Sequence, residues 1–142
     1  MDGLGELNRA NAATPDDAGQ ASAAMKDQQR PIVAEIAAAM INGFEYNSIY
    51  DHTAQRWIKA TARATDTRVD AYDYTRGSHV SGDLPSAVYD YDLRSFLQFT
   101  PNGKGVSGYD YGTSTFFEAV VNGKAISVYD HADGRWYAFE VG

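Results

Sequence analysis

The sequence predicts a mainly β fold: a ten-stranded antiparallel up-and-down meander, barrel-like or folded over as a sheet, preceded by an N-terminal helical segment. Three observations carry this. An eleven-residue unit opening Tyr-Asp and then His or Tyr returns five times, at Tyr50–Ala60, Tyr72–Gly82, Tyr89–Phe99, Tyr109–Ala119 and Tyr129–Phe139. From Phe44 onward apolar residues recur with the period of two that a strand requires. Between these runs stand short segments of turn chemistry, so every connection is local.

Taken in chain order, residues 1–30 are rich in Ala, Asn, Asp and Gln and read as a flexible or partly helical leader. Within it Thr14 suits an N-cap and Pro15 a first helical position, with Asp16 and Asp17 on the positive end of the dipole. Pro31 lacks an amide hydrogen and disfavours helix in Arg30, which starts a new element there. Over residues 31–43 the apolar positions Ile32, Val33, Ile36, Ala37, Met40 and Ile41 recur at three- and four-residue spacing and Asn42-Gly43 supplies a stop. This amphipathic helix is expected to cover one end or one face of the β domain at 44–142.

Within that domain the expected strands are 44–51, 55–61, 68–74, 78–82, 86–91, 95–100, 106–111, 115–121, 124–131 and 135–141. Ala132-Asp133-Gly134 and Thr75-Arg76-Gly77 suit tight turns inside a unit, and Asn102-Gly103 and Asn122-Gly123 suit tight turns between units. Alternation sends Ile49, Ile58, Val80, Val88, Leu97, Phe99, Phe117, Val128 and Phe139 to one face, the core. The other face collects three rings per unit: Tyr50, His52, Trp57; Tyr72, Tyr74, His79; Tyr89, Tyr91, Phe96; Tyr109, Tyr111, Phe116; and Tyr129, His131, Trp136. So many rings on one side form either a second core under the helix or a surface for binding.

Asp occupies the second position of every unit, at Asp51, Asp73, Asp90, Asp110 and Asp130. A carboxylate just ahead of a turn accepts backbone N–H bonds from the loop, which is the role expected of these five. Their side chains alternate to the core side, away from the rings, and no calcium-loop spacing accompanies them. The stretch Val128-Tyr129-Asp130-His131-Ala132-Asp133-Gly134-Arg135-Trp136 resembles the Tyr-Asp hairpin repeats of large secreted bacterial shell proteins. Gly-Arg follows Tyr-Asp in this unit alone, so the likeness is one of hairpin chemistry and implies no activity.

Composition removes several functions. A net charge of −7 with no Lys/Arg cluster repels a phosphate backbone, which argues against nucleic acid and anionic membranes as partners. No apolar stretch approaches the ~18 residues of a membrane-spanning helix. With no cysteine there is no disulfide, thiolate catalysis or Cys-ligated zinc, and the compartment stays open. His52, His79 and His131 are the only histidines; at two of the positions they occupy, other units carry Tyr, an exchange that packing tolerates and a metal site does not.

The sequence therefore reads as a non-enzymatic binding or interaction module, without cofactor or metal, for a glycan, a flat small molecule, a peptide or a partner protein. Trp57, Tyr91, Tyr111, Phe116, His131 and Trp136 are its expected contact residues. A self-associating structural subunit of a homo-oligomer is the first alternative. The second is a small hydrolase using Glu118 or a His in a cleft.

Overall fold

The computed structural model describes residues 24–142. The expected Thr14 helix start and most of the leader fall outside them. One helix, α1 (Arg30–Asn42), is followed by ten strands: β1 (Tyr46–Asp51), β2 (Arg56–Ala64), β3 (Arg68–Asp73), β4 (Ser78–Asp83), β5 (Ala87–Asp90), β6 (Ser95–Asn102), β7 (Gly105–Asp110), β8 (Thr115–Asn122), β9 (Ala125–Asp130) and β10 (Arg135–Val141). Each strand pairs antiparallel with its neighbours in sequence, and β10 returns to β1 to close a barrel. At the closing seam Ile49 faces Val141, Tyr50 faces Glu140 and Asp51 faces Phe139. Closure settles the choice left by the sequence against a folded-over sheet, and it removes the free edges through which an open sheet would self-associate.

The five Tyr-Asp hairpins share one end of the barrel, its mouth. Each strand ends in its Asp, a four-residue loop follows, and the next strand begins opposite that Asp, as in Asp90↔Ser95 and Asp130↔Arg135. The last loop residue has positive φ in all five: Gln55 57°, Gly77 62°, Arg94 57°, Ser114 55° and Gly134 66°. Sequence marks only two of these positions with glycine. In the other three an L side chain accepts a conformation that favours glycine, because the flanking ladder and the Asp cap fix the loop.

Inside the barrel lies α1. This corrects the expectation that it covers an end or a face: the helix runs through the lumen, packed against β1–β3 and β6–β10, and every residue from Arg30 to Ala39 is buried. The physical reason lies in the residues off its apolar stripe. Ala34, Ala38 and Ala39 make that side thin and apolar, so the whole circumference can be enclosed; past Arg30 in the first turn, Glu35 is the one charged residue of the buried stretch. Pro31 sits in the first turn, where a missing amide costs nothing, and Gly43 ends the helix at φ 72° with its amide donating to the Ala39 carbonyl.

The lumen is filled unevenly. The helix lies closest to β2, where the wall presents Ala60 and Ala62, while Leu97, Phe99 and Phe117 fill the opposite side. Phe99 and Phe117 meet edge to face at 5.6 Å. Gly108 makes room for them: a Cβ there would stand 2.0 Å from Cζ of Phe117 and 2.5 Å from the Gln98 carbonyl oxygen. The inward set foreseen from alternation is buried, with Tyr137 half-buried at the mouth under the Arg30 guanidinium, 3.9 Å from its ring centre.

Candidate functional site

Because α1 occupies the lumen, nothing among the described residues covers the outward rings. Each hairpin holds three of them with its leading Tyr in the middle. Tyr50 contacts His52 and Trp57, Tyr72 contacts Tyr74 and His79, Tyr89 contacts Tyr91 and Phe96, Tyr109 contacts Tyr111 and Phe116, and Tyr129 contacts His131 and Trp136. Ring centres in the Tyr109 triad are 4.7 Å apart, and most planes are steeply inclined, the edge-to-face arrangement that ring quadrupoles favour. The cross-strand register explains the constancy, since the leading Tyr stands opposite the aromatic seven residues later, as in Tyr109↔Phe116 and Tyr129↔Trp136.

The six expected contact residues fall in four consecutive triads around the barrel. Tyr111 and Phe116 flank one Tyr, His131 and Trp136 flank the next, Trp57 belongs to the triad across the seam, and Tyr91 to the triad on the other side. Trp57 and Trp136 are each 57% exposed and Phe116 is 63% exposed. Polar neighbours tie the girdle together: the Tyr111 hydroxyl donates to Gln98 Oε1 at 3.3 Å, His131 Nε2 lies 3.3 Å from Glu118 Oε2, and Lys59 Nζ stands 4.9 Å from the centre of the Tyr74 ring. Beside and beyond the rings the outer wall carries the polar side chains of Lys59, Arg63, Asp70, Gln98 and Glu118. Among the described residues no helix is long and apolar enough to cross a membrane.

At the mouth the five Asp residues point inward and cap their loops. Asp51 Oδ1 accepts from the amides of Thr53 and Ala54 at 2.9 and 3.1 Å, and Asp90 Oδ1 from Asp92 and Leu93 at 3.1 Å each. Asp73 receives the amides of Thr75 and Arg76, Asp110 that of Gly112, and Asp130 that of Ala132. Sequence reasoning did not foresee what the second oxygens do. Asp73 Oδ2 accepts from Arg76 Nε at 2.8 Å, and Asp90 Oδ2 from Gln29 Nε2 and Arg76, both at 3.0 Å. Asp130 Oδ2 takes the Met25 amide at 2.9 Å and Arg30 at 3.3 Å. These bonds fasten the start of the helix to the rim. The available signal was the demand itself, since five inward carboxylates call for buried donors and Gln29, Arg30 and Arg76 were at hand.

Charge in the mouth follows from burial. Burial lowers the affinity of Arg76 for its proton, but the bonds to Asp73 and Asp90 reverse this and hold the guanidinium above its ordinary value. Burial pushes Asp110 up against the opposing bonds from Thr113 and Gly112. Deeper in, Glu35 is fully buried with neither carboxyl oxygen hydrogen-bonded, and burial, with the nearby Asp73 charge adding, raises it from 4.5 to about 9. At neutral pH Glu35 is a protonated acid inside the barrel.

Of the residues singled out for hydrolysis, Glu118 is exposed, lies 3.3 Å from His131 Nε2 and lines a cleft of about 250 Å³ together with Ser107, its partner across the ladder, while His79 lines another cleft of about 320 Å³. No group of three or more His, Asp or Glu side chains is placed to hold a metal among the described residues. Compared with protein-family models, with curated proteins and with solved structures, the chain matches none of them.

Proposed function

We propose that the protein is a non-enzymatic interaction module whose outer aromatic girdle engages a chain-like partner, a glycan or a peptide, through several weak and nearly equivalent contacts. The observation that carries this is the ring of five edge-to-face triads whose outer members stand open to solvent on a closed, internally filled barrel. A fold that needed these rings for its core would bury them; here the core is complete inside, around α1. The girdle lies on the outside of the barrel, and Trp57, Tyr91, Tyr111, Phe116 and Trp136 stand apart from five clefts of 230–320 Å³ among the described residues. This placement favours a partner that lies across neighbouring triads over a small molecule held in a pocket, and repetition gives avidity from individually weak contacts.

Glycan and peptide arrays probed with wild type and with the Trp57→Ala/Trp136→Ala double variant test this reading. The expected result is binding by wild type that the variant loses while it remains folded, with a stability loss of no more than about 2 kcal/mol. Heavy destabilisation with binding intact overturns it. Native mass against dilution addresses self-association through the same girdle, and a monomer at every concentration removes that alternative.

A further inference from the structure

Across the ladder from the leading Tyr of each triad stands one further outward residue, and it differs from hairpin to hairpin: Glu140 opposite Tyr50, Thr61 opposite Tyr72, Ser81 opposite Tyr89, Gln98 opposite Tyr109 and Glu118 opposite Tyr129. Two hairpins therefore carry the same set of four side chains. In one, Tyr129 lies between Trp136 and Glu118, with His131 Nε2 3.3 Å from Glu118 Oε2. In the other, Tyr50 lies between Trp57 and Glu140, with His52 Nε2 3.9 Å from Glu140 Oε1. These sets hold both tryptophans of the chain, and they adjoin across the seam between β10 and β1. The fold does not demand this duplication, since the other three triads reach the same geometry with other residues.

The charge on this face is negative. Glu118 and Glu140 are both exposed, and among the described residues each is paired with a histidine and with no Lys or Arg. Arg56 and Arg135 stand opposite the inward Asp51 and Asp130 and so belong to the mouth, while Lys59 is turned to the Tyr74 ring. In each set Glu and Trp flank the Tyr on adjacent strands, which separates their Cα atoms by about 10 Å. A planar cation seated over the Tyr meets an indole on one side and a carboxylate on the other. This suits a guanidinium, which stacks on aromatic faces and pairs with a carboxylate through its fork of N–H groups. Register fixes the interval between the sets: Glu140, the residue facing Tyr50, lies four residues beyond Trp136, the residue facing Tyr129. With two strand spacings added, equivalent atoms of the two sets are about 17 Å apart.

We propose that the seam side of the girdle binds a basic peptide segment through two arginines about five residues apart, one guanidinium at each Tyr-His-Trp-Glu set. This rests on the reading of the girdle as an interaction surface and names its partner. An extended chain advances about 3.4 Å per residue, so five residues cover the interval between the sets. The net charge of −7 draws a basic segment in, and tethering two weak contacts on one chain supplies the affinity.

NMR titration of the full chain, followed at the two indole N–H signals, tests this with the blocked peptide Arg-Gly-Ser-Gly-Ser-Arg. Controls are the same peptide with one arginine changed to Gln and with both changed to citrulline, which keeps the shape and loses the charge. Both indole signals are expected to shift saturably with the two-arginine peptide, which binds about tenfold or more tighter than the one-arginine peptide and weakens as salt rises. Glu118→Gln with Glu140→Gln leaves every ring in place at two exposed positions and is expected to weaken binding about tenfold or more. Equal binding of the arginine and citrulline peptides, equal binding by wild type and the double Gln variant, or no shift at either indole overturns the proposal. If the peptide fails while a neutral glycan binds wild type and not the Trp57→Ala/Trp136→Ala variant, the basic partner is refuted and the girdle reading stands; if glycan and peptide arrays are also blank, both fall.

Discussion

Replacing Glu35 by Gln should stabilise this protein, and by an amount that grows with pH. In the unfolded chain Glu35 loses its proton near 4.5; in the barrel, where burial withdraws it from water and Asp73 opposes a second negative charge, it keeps the proton up to about 9. The folded state therefore binds more protons than the unfolded state between these values. Stability contributed by this group is fully present below pH 4.5 and is lost as pH rises toward 9. Each pH unit in that window costs about 1.4 kcal/mol, so the burden at pH 7 is about 3 kcal/mol and at pH 5 under about 1 kcal/mol. Gln has nearly the same shape and cannot ionise, so Glu35→Gln removes the burden. Urea unfolding of both proteins at pH 5 and pH 7 measures the gap, expected to widen by about 2 to 3 kcal/mol between the two conditions. A gap that stays constant with pH would show that Glu35 is charged in the folded barrel, and the account of the lumen as a dry interior would fail.

Gly108→Ala pushes a methyl group into the Phe117 ring and the Gln98 carbonyl and should cost about 3 kcal/mol in denaturant unfolding, because one of the two obstacles is backbone. Asp90→Ala leaves Arg76 with one fewer buried counter-charge and Gln29 without its acceptor, and a loss of about 3 kcal/mol or more is expected by the same assay. Ser114→Gly relieves a positive φ at an exposed loop position and should raise the thermal midpoint, corresponding to about 1 kcal/mol. Trp57→Ala and Trp136→Ala each delete one outer ring contact and should cost only about 1 kcal/mol apiece, measured by calorimetry on the separate variants.

Much of the wall was legible because its signals are local. Strand alternation, the Asn-Gly turns and the regular Tyr-Asp openings each depend on a few adjacent residues, and all ten strands form where these signals stand. The outward rings and the loop-capping Asp side chains follow from alternation alone. The helix was legible as a helix but not as the filling of the barrel. Its Ile and Met stripe drew attention, while its location was decided by Ala34, Ala38 and Ala39, whose message is only that little space is needed. The buried polar network was missed for a related reason. That Arg76 bridges Asp73 and Asp90, or that Gln29 reaches Asp90, depends on which chain segments closure brings together, and pattern within a strand carries no such information. Loop conformation at Gln55, Arg94 and Ser114 was equally silent, since there tertiary constraint overrides the preference for glycine.

The order of assembly follows from the closing ladder between β1 and β10. Nine of the ten ladders join consecutive segments and pay little entropy to form, whereas the tenth must unite the two extremes of the wall after the helix has been wrapped. Damage to this tenth ladder, for instance by trimming Val141, should hasten opening far more than it slows collapse, which would make this short junction the determinant of how long a shut molecule stays shut.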